Sequence, residues 1–242
     1  PPPVARPSGP AAILRRVEPL VVSDMDGTLT RAETWKAVLA WVCDRHPSPA
    51  ARRFVWVHLP LVARLRLGLM DREAFRGRWL GEEAALLRDL PEARLVEMGE
   101  WVVEAWLWPA RRTAAIKAVS TALEGLRADG SHPELYVATA AYQPVADAFA
   151  ARMGATGGLG TPLEVREGRS TGRLAGPVSA GIRKASLVSE RAAGRQVAVA
   201  FGDSEADLHL LALAERPVAV DPDAALRRTA ARSGWEILED AG

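Results

Sequence analysis

The spacing of apolar and polar positions changes several times along the chain, and each change predicts an element. Leu20-Val21-Val22 is a short apolar run that ends in the polar stretch Ser23-Asp24-Met25-Asp26-Gly27-Thr28. Such a run reads as a buried strand feeding a loop. From Arg31 to Pro109 the period becomes helical: Trp35, Val38, Leu39 and Val42 share one face, and Pro47 closes the segment. Pro, Gly and Asp signals divide the rest of that block into helices over about 50–68, 71–89 and 91–107. A helix over 111–128 leads through Gly130 to a second strand, Leu135-Tyr136-Val137-Ala138. Pro144 stands in the first turn of the next helix, which ends near Gly154. Residues 157–177 are rich in glycine and read as loop plus hairpin, with Leu163-Glu164-Val165 as one strand. A helix over 181–193 precedes the strand Val197–Phe201, which enters Gly202-Asp203-Ser204. Helices over 205–214 and 223–233 and strands over 217–220 and 235–238 complete the prediction.

Strands that alternate with helices imply an α/β fold, a doubly wound parallel sheet with helices on both faces. The helical block between the first two strands is too long for a crossover and reads as an inserted all-helical cap over 31–110. The catalytic core would then comprise 18–30 and 111–242, preceded by a proline-rich disordered leader over 1–17. In an open parallel sheet the binding crevice lies at the carboxyl ends of the strands. The Asp-rich loop after the first strand, Thr139 after the second and Asp203 after the Val197 strand are expected to converge there.

Composition narrows the function. Lys+Arg number 31 and Asp+Glu 30, a balance that argues against a dedicated nucleic-acid binder. The lone Cys43 offers neither an intrachain disulfide nor a thiolate zinc cluster, and points to a reducing, cytoplasmic setting. The most apolar window, Phe54 to Leu69, is broken by His58, Pro60, Arg64 and Arg66, so no membrane span is expected. Arginine supplies most of the positive charge; the scarce lysines Lys36, Lys117 and Lys184 carry more information.

Asp24 and Asp26 stand one residue apart at a strand end, where two carboxylates repel unless a cation or proton lies between them. A second acidic loop, Gly202-Asp203-Ser204-Glu205-Ala206-Asp207, ends a later strand, and Lys184 lies on a helix between the two. Hard oxygen donors of this kind suit Mg²⁺. A carboxylate nucleophile, a hard metal and a phosphate-neutralising lysine together describe phosphoryl transfer.

These motifs resemble the haloacid dehalogenase superfamily, and its phosphoserine-phosphatase-like branch in particular, over nearly the whole chain. Asp24-Met25-Asp26-Gly27-Thr28-Leu29-Thr30 is similar to the family's first motif, Thr139 to its second, Lys184 to its third and Gly202 to Asp207 to its fourth. The resemblance implies a Rossmann-like core with a helical cap and a Mg²⁺-dependent phosphomonoesterase working through an aspartyl-phosphate. It implies Asp24 as nucleophile, Asp26 as acid/base, and Thr139 and Lys184 as phosphoryl ligands. Asp24, Asp26 (through its backbone carbonyl) and Asp203 would hold the metal, with Asp207 adjacent. Glu33, nine residues after Asp24, falls where phosphoserine phosphatases place a reader of the substrate amine; the alternative is a first-turn glutamate favoured by the helix dipole. Ala206 replaces the asparagine usual before the last aspartate, and Ala140 follows Thr139, departures that bear on the substrate rather than on the reaction.

Other residues stay open at this level. Arg76 and Arg78 are candidates for gripping a substrate carboxylate from the cap, or are solvated surface charges, and Arg183 competes with Lys184. Seven tryptophans (Trp35, Trp41, Trp56, Trp79, Trp101, Trp106 and Trp108) lie in the expected cap as its core, or as an apolar cleft or membrane-surface patch. His46, His58, His132 and His209 show no metal-ligand spacing and read as structural. The expected substrate is a small phosphomonoester. A bulkier or apolar lipid or sugar phosphate, and a catalytically idle binding protein of the same fold, are the alternatives.

Overall fold

Strand β1 (Leu20–Ser23) is buried along its whole length. Its side chains divide by parity, as the two-residue period of a strand requires: Val21 enters one hydrophobic core, and Leu20 and Val22 enter another. The computed structural model describes residues 18–70 and 72–239. The leader predicted at 1–17 therefore lies outside the described residues, as do the last three residues of the predicted core.

Between β1 and the next strand run four helices, α1 (Thr34–Arg45), α2 (Pro49–Arg66), α3 (Arg72–Ala84) and α4 (Glu92–Val102). The chain then alternates through α5 (Thr113–Ala128), β2 (Glu134–Tyr142), α6 (Gln143–Met153) and β3 (Gly157–Thr161). A hairpin of β4 (Leu163–Arg166) and β5 (Arg169–Leu174) follows, then α7 (Gly181–Ala192) and β6 (Val197–Gly202). The short helix α8 (Leu208–Leu211), β7 (Ala214–Val220), α9 (Ala224–Ser233) and β8 (Glu236–Leu238) close the fold. The main sheet has the order β3-β2-β1-β6-β7-β8 and every pairing in it is parallel. Helices α5 and α6 contribute to the core on one face, while α7, α8 and α9 contribute to the core on the other. This is the expected doubly wound α/β sheet. The strand order reverses between β1 and β6, so the ligand crevice of such a sheet opens at their carboxyl ends.

Three local expectations are corrected. The glycine-rich stretch read as loop contains β3, an edge strand of the main sheet, ahead of the hairpin. Its glycines serve packing: a Cβ on Gly158 would lie 2.5 Å from the backbone carbon of Ala146, and one on Gly160 2.9 Å from the carbonyl oxygen of Ala141. The helix predicted over 91–107 stops at Val102 and widens into a π turn over Val103–Leu107, where the Leu107 carbonyl accepts from Thr30 Oγ1 at 2.8 Å. The helix predicted over 205–214 is a 3₁₀ turn, Glu205–Asp207, followed by the single turn α8.

The helices between β1 and β2 are packed around aromatic rings. Trp79 meets Trp35 at 4.5 Å and Phe54 at 5.0 Å between ring centroids, both edge-on; such pairs contribute about 0.5–1.5 kcal/mol each beyond area burial. Trp41 is fully buried as well, so Trp35, Trp41 and Trp79 are core, whereas Trp56 is 75% exposed. His58 is structural: it is buried against Phe54, and its Nδ1 lies 2.8 Å from the Phe54 carbonyl oxygen. The hairpin is tied to the segment that follows α3 through Asp89 N–H to the Ser170 carbonyl at 2.8 Å and Ser170 N–H to the Leu90 carbonyl at 2.9 Å.

Candidate active site

Asp24 leaves β1 with its amide donating to the Phe201 carbonyl of β6 at 2.9 Å, so the ends of the two strands are tied together. The following loop turns sharply, with Gly27 at φ +93°. A Cβ there would lie 2.2 Å from Asp203 Oδ2, so only glycine lets the first loop pass against the acid that follows β6. Gly202 meets a similar demand, since its Cβ would fall 2.6 Å from that of Asp207.

This close passage gathers the carboxylates of Asp24, Asp203 and Asp207, each offering an oxygen within 4.8 Å of the others. Lys184, from α7, reaches between two of them: its Nζ lies 2.5 Å from Asp24 Oδ1 and 2.7 Å from Asp207 Oδ1. Thr28 Oγ1 sits 3.1 Å from Asp24 Oδ2 and 3.0 Å from Asp203 Oδ1. Ser204 holds the other oxygen of Asp207, its hydroxyl donating at 3.0 Å and its amide at 3.3 Å. Asp207 is thereby fixed as the positioning partner of Lys184.

The charges do not balance within this set, because three carboxylates face one ammonium. Burial raises Asp24 above the ordinary carboxylate range, against the pull of Lys184 and with the push of Asp207. Burial, with Asp24 and Asp207 nearby, raises Asp203 to about 8. Asp207 goes the other way: burial works against its charge, but the Lys184 ammonium outweighs it and holds the carboxyl below its usual value. Lys184 is held above its usual range by Asp207 and Asp24, despite its burial. A buried excess of hard oxygen donors is a site that a divalent cation would complete, and Asp24, Asp203 and Asp207 are the residues able to hold it.

Asp26 stands apart from that cluster. Its carboxylate turns to the start of α1, accepting from Thr34 Oγ1 at 2.5 Å and from Thr34 N–H at 3.1 Å. Burial and the neighbouring Asp24 charge raise it to about 6, against the Thr34 hydrogen bonds. A carboxyl that titrates there can both give and take a proton near neutrality.

Asp24, Asp26, Thr139, Ala140, Lys184, Ser204 and Asp207 line one cleft together with Arg76 of α3. The cleft joins every sequence-predicted site residue except Glu33 and Asp203, and Asp203 is linked to Asp24 through the Thr28 hydroxyl. Glu33 is not brought in: it is exposed at the start of α1 and pairs with Lys36. Of the two candidate arginines, Arg76 faces the cleft, and Arg78 is exposed and bound to Glu82 at 2.8 Å. Arg183 pairs with Glu190 on the exposed side of α7, and Lys184 is the buried member of that neighbouring pair. None of the four histidines lines the cleft. Sequence reasoning passed over Thr28, Thr34 and Ser204 as contributors. Their signal was local, since each hydroxyl lies within eight residues of an aspartate it serves.

Comparison with known proteins agrees with this geometry. The chain is 38% identical over 110 residues to the Mycobacterium tuberculosis protein named phosphoserine phosphatase SerB1, a match that covers 44% of this chain and 36% of that one. A Neisseria meningitidis protein named histidinol-phosphatase is 37% identical over 93 residues, covering 35% of this chain and 42% of its own. The matches thus span well under half the length of these curated relatives. A crystal structure of a Bordetella pertussis protein of unknown function shares the fold along nearly all of both chains, 92% of this one and 98% of that one, with TM-score 0.70 and 26% identity. The family model for haloacid dehalogenase-like hydrolases matches residues 21–212, from β1 through α8, and the chain belongs to that family.

Proposed function

We propose that the protein is a phosphomonoesterase in which Asp24 attacks phosphorus and Asp26 manages the proton. The observation that carries this reading is the pair of carboxyls one residue apart with divergent environments. Asp24 is fixed by Lys184 and Thr28 in an acidic cluster, and Asp26 is raised to about 6 beside it in the same cleft. Names of relatives that act on phosphoserine and histidinol phosphate support the reaction class and point to small phosphorylated metabolites.

In this reading an Asp24 carboxylate oxygen forms a bond to phosphorus as the bond to the ester oxygen breaks. The leaving oxygen takes the proton from Asp26, giving an aspartyl-phosphate and the free alcohol. Asp26, now ionised, takes a proton from water as the water oxygen bonds to phosphorus, releasing inorganic phosphate and restoring Asp24. Lys184 and Thr139 bind the phosphoryl oxygens, and Asp207 with Ser204 keeps Lys184 in place. The carboxylates of Asp24, Asp203 and Asp207 fit Mg²⁺, which Asp24 and Asp203 would hold with the backbone carbonyl of Asp26, Asp207 standing adjacent. Bound there, the metal would offset the repulsion between the carboxylates and a phosphate dianion. We assign residues 31–110 as a cap over this cleft, with α3 supplying Arg76 as the group that meets a second anionic charge on the substrate.

The test is phosphate release from a panel of phosphoserine, histidinol phosphate, sugar phosphates, nucleotides and lysophospholipids, with Mg²⁺ and with chelator. Metal-dependent turnover that Asp24→Asn abolishes supports the reading. Turnover that survives the substitution overturns Asp24 as the nucleophile, and no turnover on any member overturns the reading in favour of a binding role.

A further inference from the structure

We propose that the exposed face of α2 is a docking surface for anionic lipid bilayers, on which the protein lies without crossing. The helix buries one side against the insertion through Ala51, Phe54, His58 and Leu61. The opposite side is apolar too. Trp56, Pro60, Ala63 and Leu67 follow at i, i+4, i+7 and i+11, and all four are exposed, Trp56 by 75% and Leu67 by 72%. Leu69, just beyond the helix, is 66% exposed. A helix apolar on both sides needs a second partner for the side its own protein leaves bare.

Charge selects the partner. Asp and Glu make up 30 of the 242 residues, yet none falls between Pro47 and Met70, where Arg52, Arg53 and Arg64 are exposed around the apolar stripe. Two copies meeting through this face would set those arginines against one another with no carboxylate to answer them. A bilayer with anionic headgroups satisfies both features: the Trp and Leu side chains enter the acyl boundary, and the arginines reach phosphate. The arginines also keep the helix at the surface, and no described helix is long and apolar enough to cross a membrane. Helix α3, which carries Arg76 into the cleft, packs against α2, so docking would bring the cleft's insertion close to the lipid surface. The inference stands independently of the phosphatase reading, since docking needs no catalysis.

The test is flotation of the full chain with vesicles of phosphatidylcholine alone and of phosphatidylcholine with one-third phosphatidylglycerol. The protein is expected to float with the anionic vesicles and to be released by high salt. Trp56→Glu with Leu67→Glu should abolish flotation, and Arg52→Gln, Arg53→Gln and Arg64→Gln together should weaken it by about 100-fold. Because all five residues are exposed, the far-ultraviolet circular dichroism and melting of both variants should match those of the parent. Three results overturn the proposal: no flotation with anionic vesicles, flotation unchanged by both variants, or a dimer by light scattering that Trp56→Glu dissolves.

Discussion

Glu83, near the C-terminal end of α3, offers a perturbation whose size follows from its surroundings. Its side chain is fully buried, with Oε1 accepting from Trp79 Nε1 at 3.1 Å and Oε2 without a hydrogen-bond partner. The Tyr142 hydroxyl beside it donates to the Leu80 carbonyl at 2.8 Å. Burial raises the Glu83 carboxyl from 4.5 to about 8, outweighing the hydrogen bond from Trp79. Between those values the folded protein keeps a proton that the unfolded chain gives up, so this group's contribution to stability is greatest below pH 4.5 and falls as pH rises to about 8. At about 1.4 kcal/mol per unit, this difference costs on the order of 3 kcal/mol at pH 7. Glutamine keeps the acceptor for Trp79 and never ionises. Glu83→Gln is therefore expected to stabilise the protein by about 2–3 kcal/mol at pH 7 and more at pH 8, with a difference within about 0.5 kcal/mol at pH 4.5. Urea unfolding followed by circular dichroism at these three pH values gives the comparison, and the titration of other groups cancels between parent and variant. A stability difference independent of pH, or a variant weaker than the parent at pH 8, would show that Glu83 does not keep its proton in the folded protein.

Two further predictions concern the cleft. Gly27→Ala places a methyl group against the Asp203 carboxylate at a backbone angle strained for alanine. It should weaken Mg²⁺ binding by at least about tenfold by calorimetry and destabilise the fold by about 1–3 kcal/mol. Arg76→Ala should raise KM for phosphomonoesters bearing a second negative charge by about 10–100-fold, as expected for a lost charge-assisted contact, and leave that for p-nitrophenyl phosphate little changed; equal losses on both substrates would remove Arg76 from substrate recognition.

The order of elements could be read from the sequence because β1, β6 and α1 carry strong, uninterrupted patterns, and their ends fall beside Asp24, Asp203 and Thr34. β3 escaped because Gly157, Gly158 and Gly160 resemble a loop, while the force that places them is contact with α6 and β2. The π turn after Val102 was invisible for a similar reason, since a distant residue, Thr30, bonds the Leu107 carbonyl within it. Of the residues expected at the site, Asp24, Asp26, Thr139 and Lys184 line one cleft, and Asp203 bonds Thr28 beside Asp24. Choosing Arg76 over Arg78 required the rotation of α3, which a two-residue step reverses from cleft to solvent. Glu83 shows the limit most clearly: a glutamate in a helix reads as surface, and only packing against Trp79 and Tyr142 makes it core.

If Asp24 carries the phosphoryl group, acid-quenched turnover read by mass spectrometry should catch it there. Protein mixed with Mg²⁺ and the best substrate of the panel, quenched in acid and digested with pepsin, should yield a peptide containing Asp24 heavier by one phosphoryl group. The added mass should vanish in Asp24→Asn and after mild alkali, which hydrolyses acyl phosphates. Turnover without that mass, or a phosphoryl group on any other residue, would contradict the account.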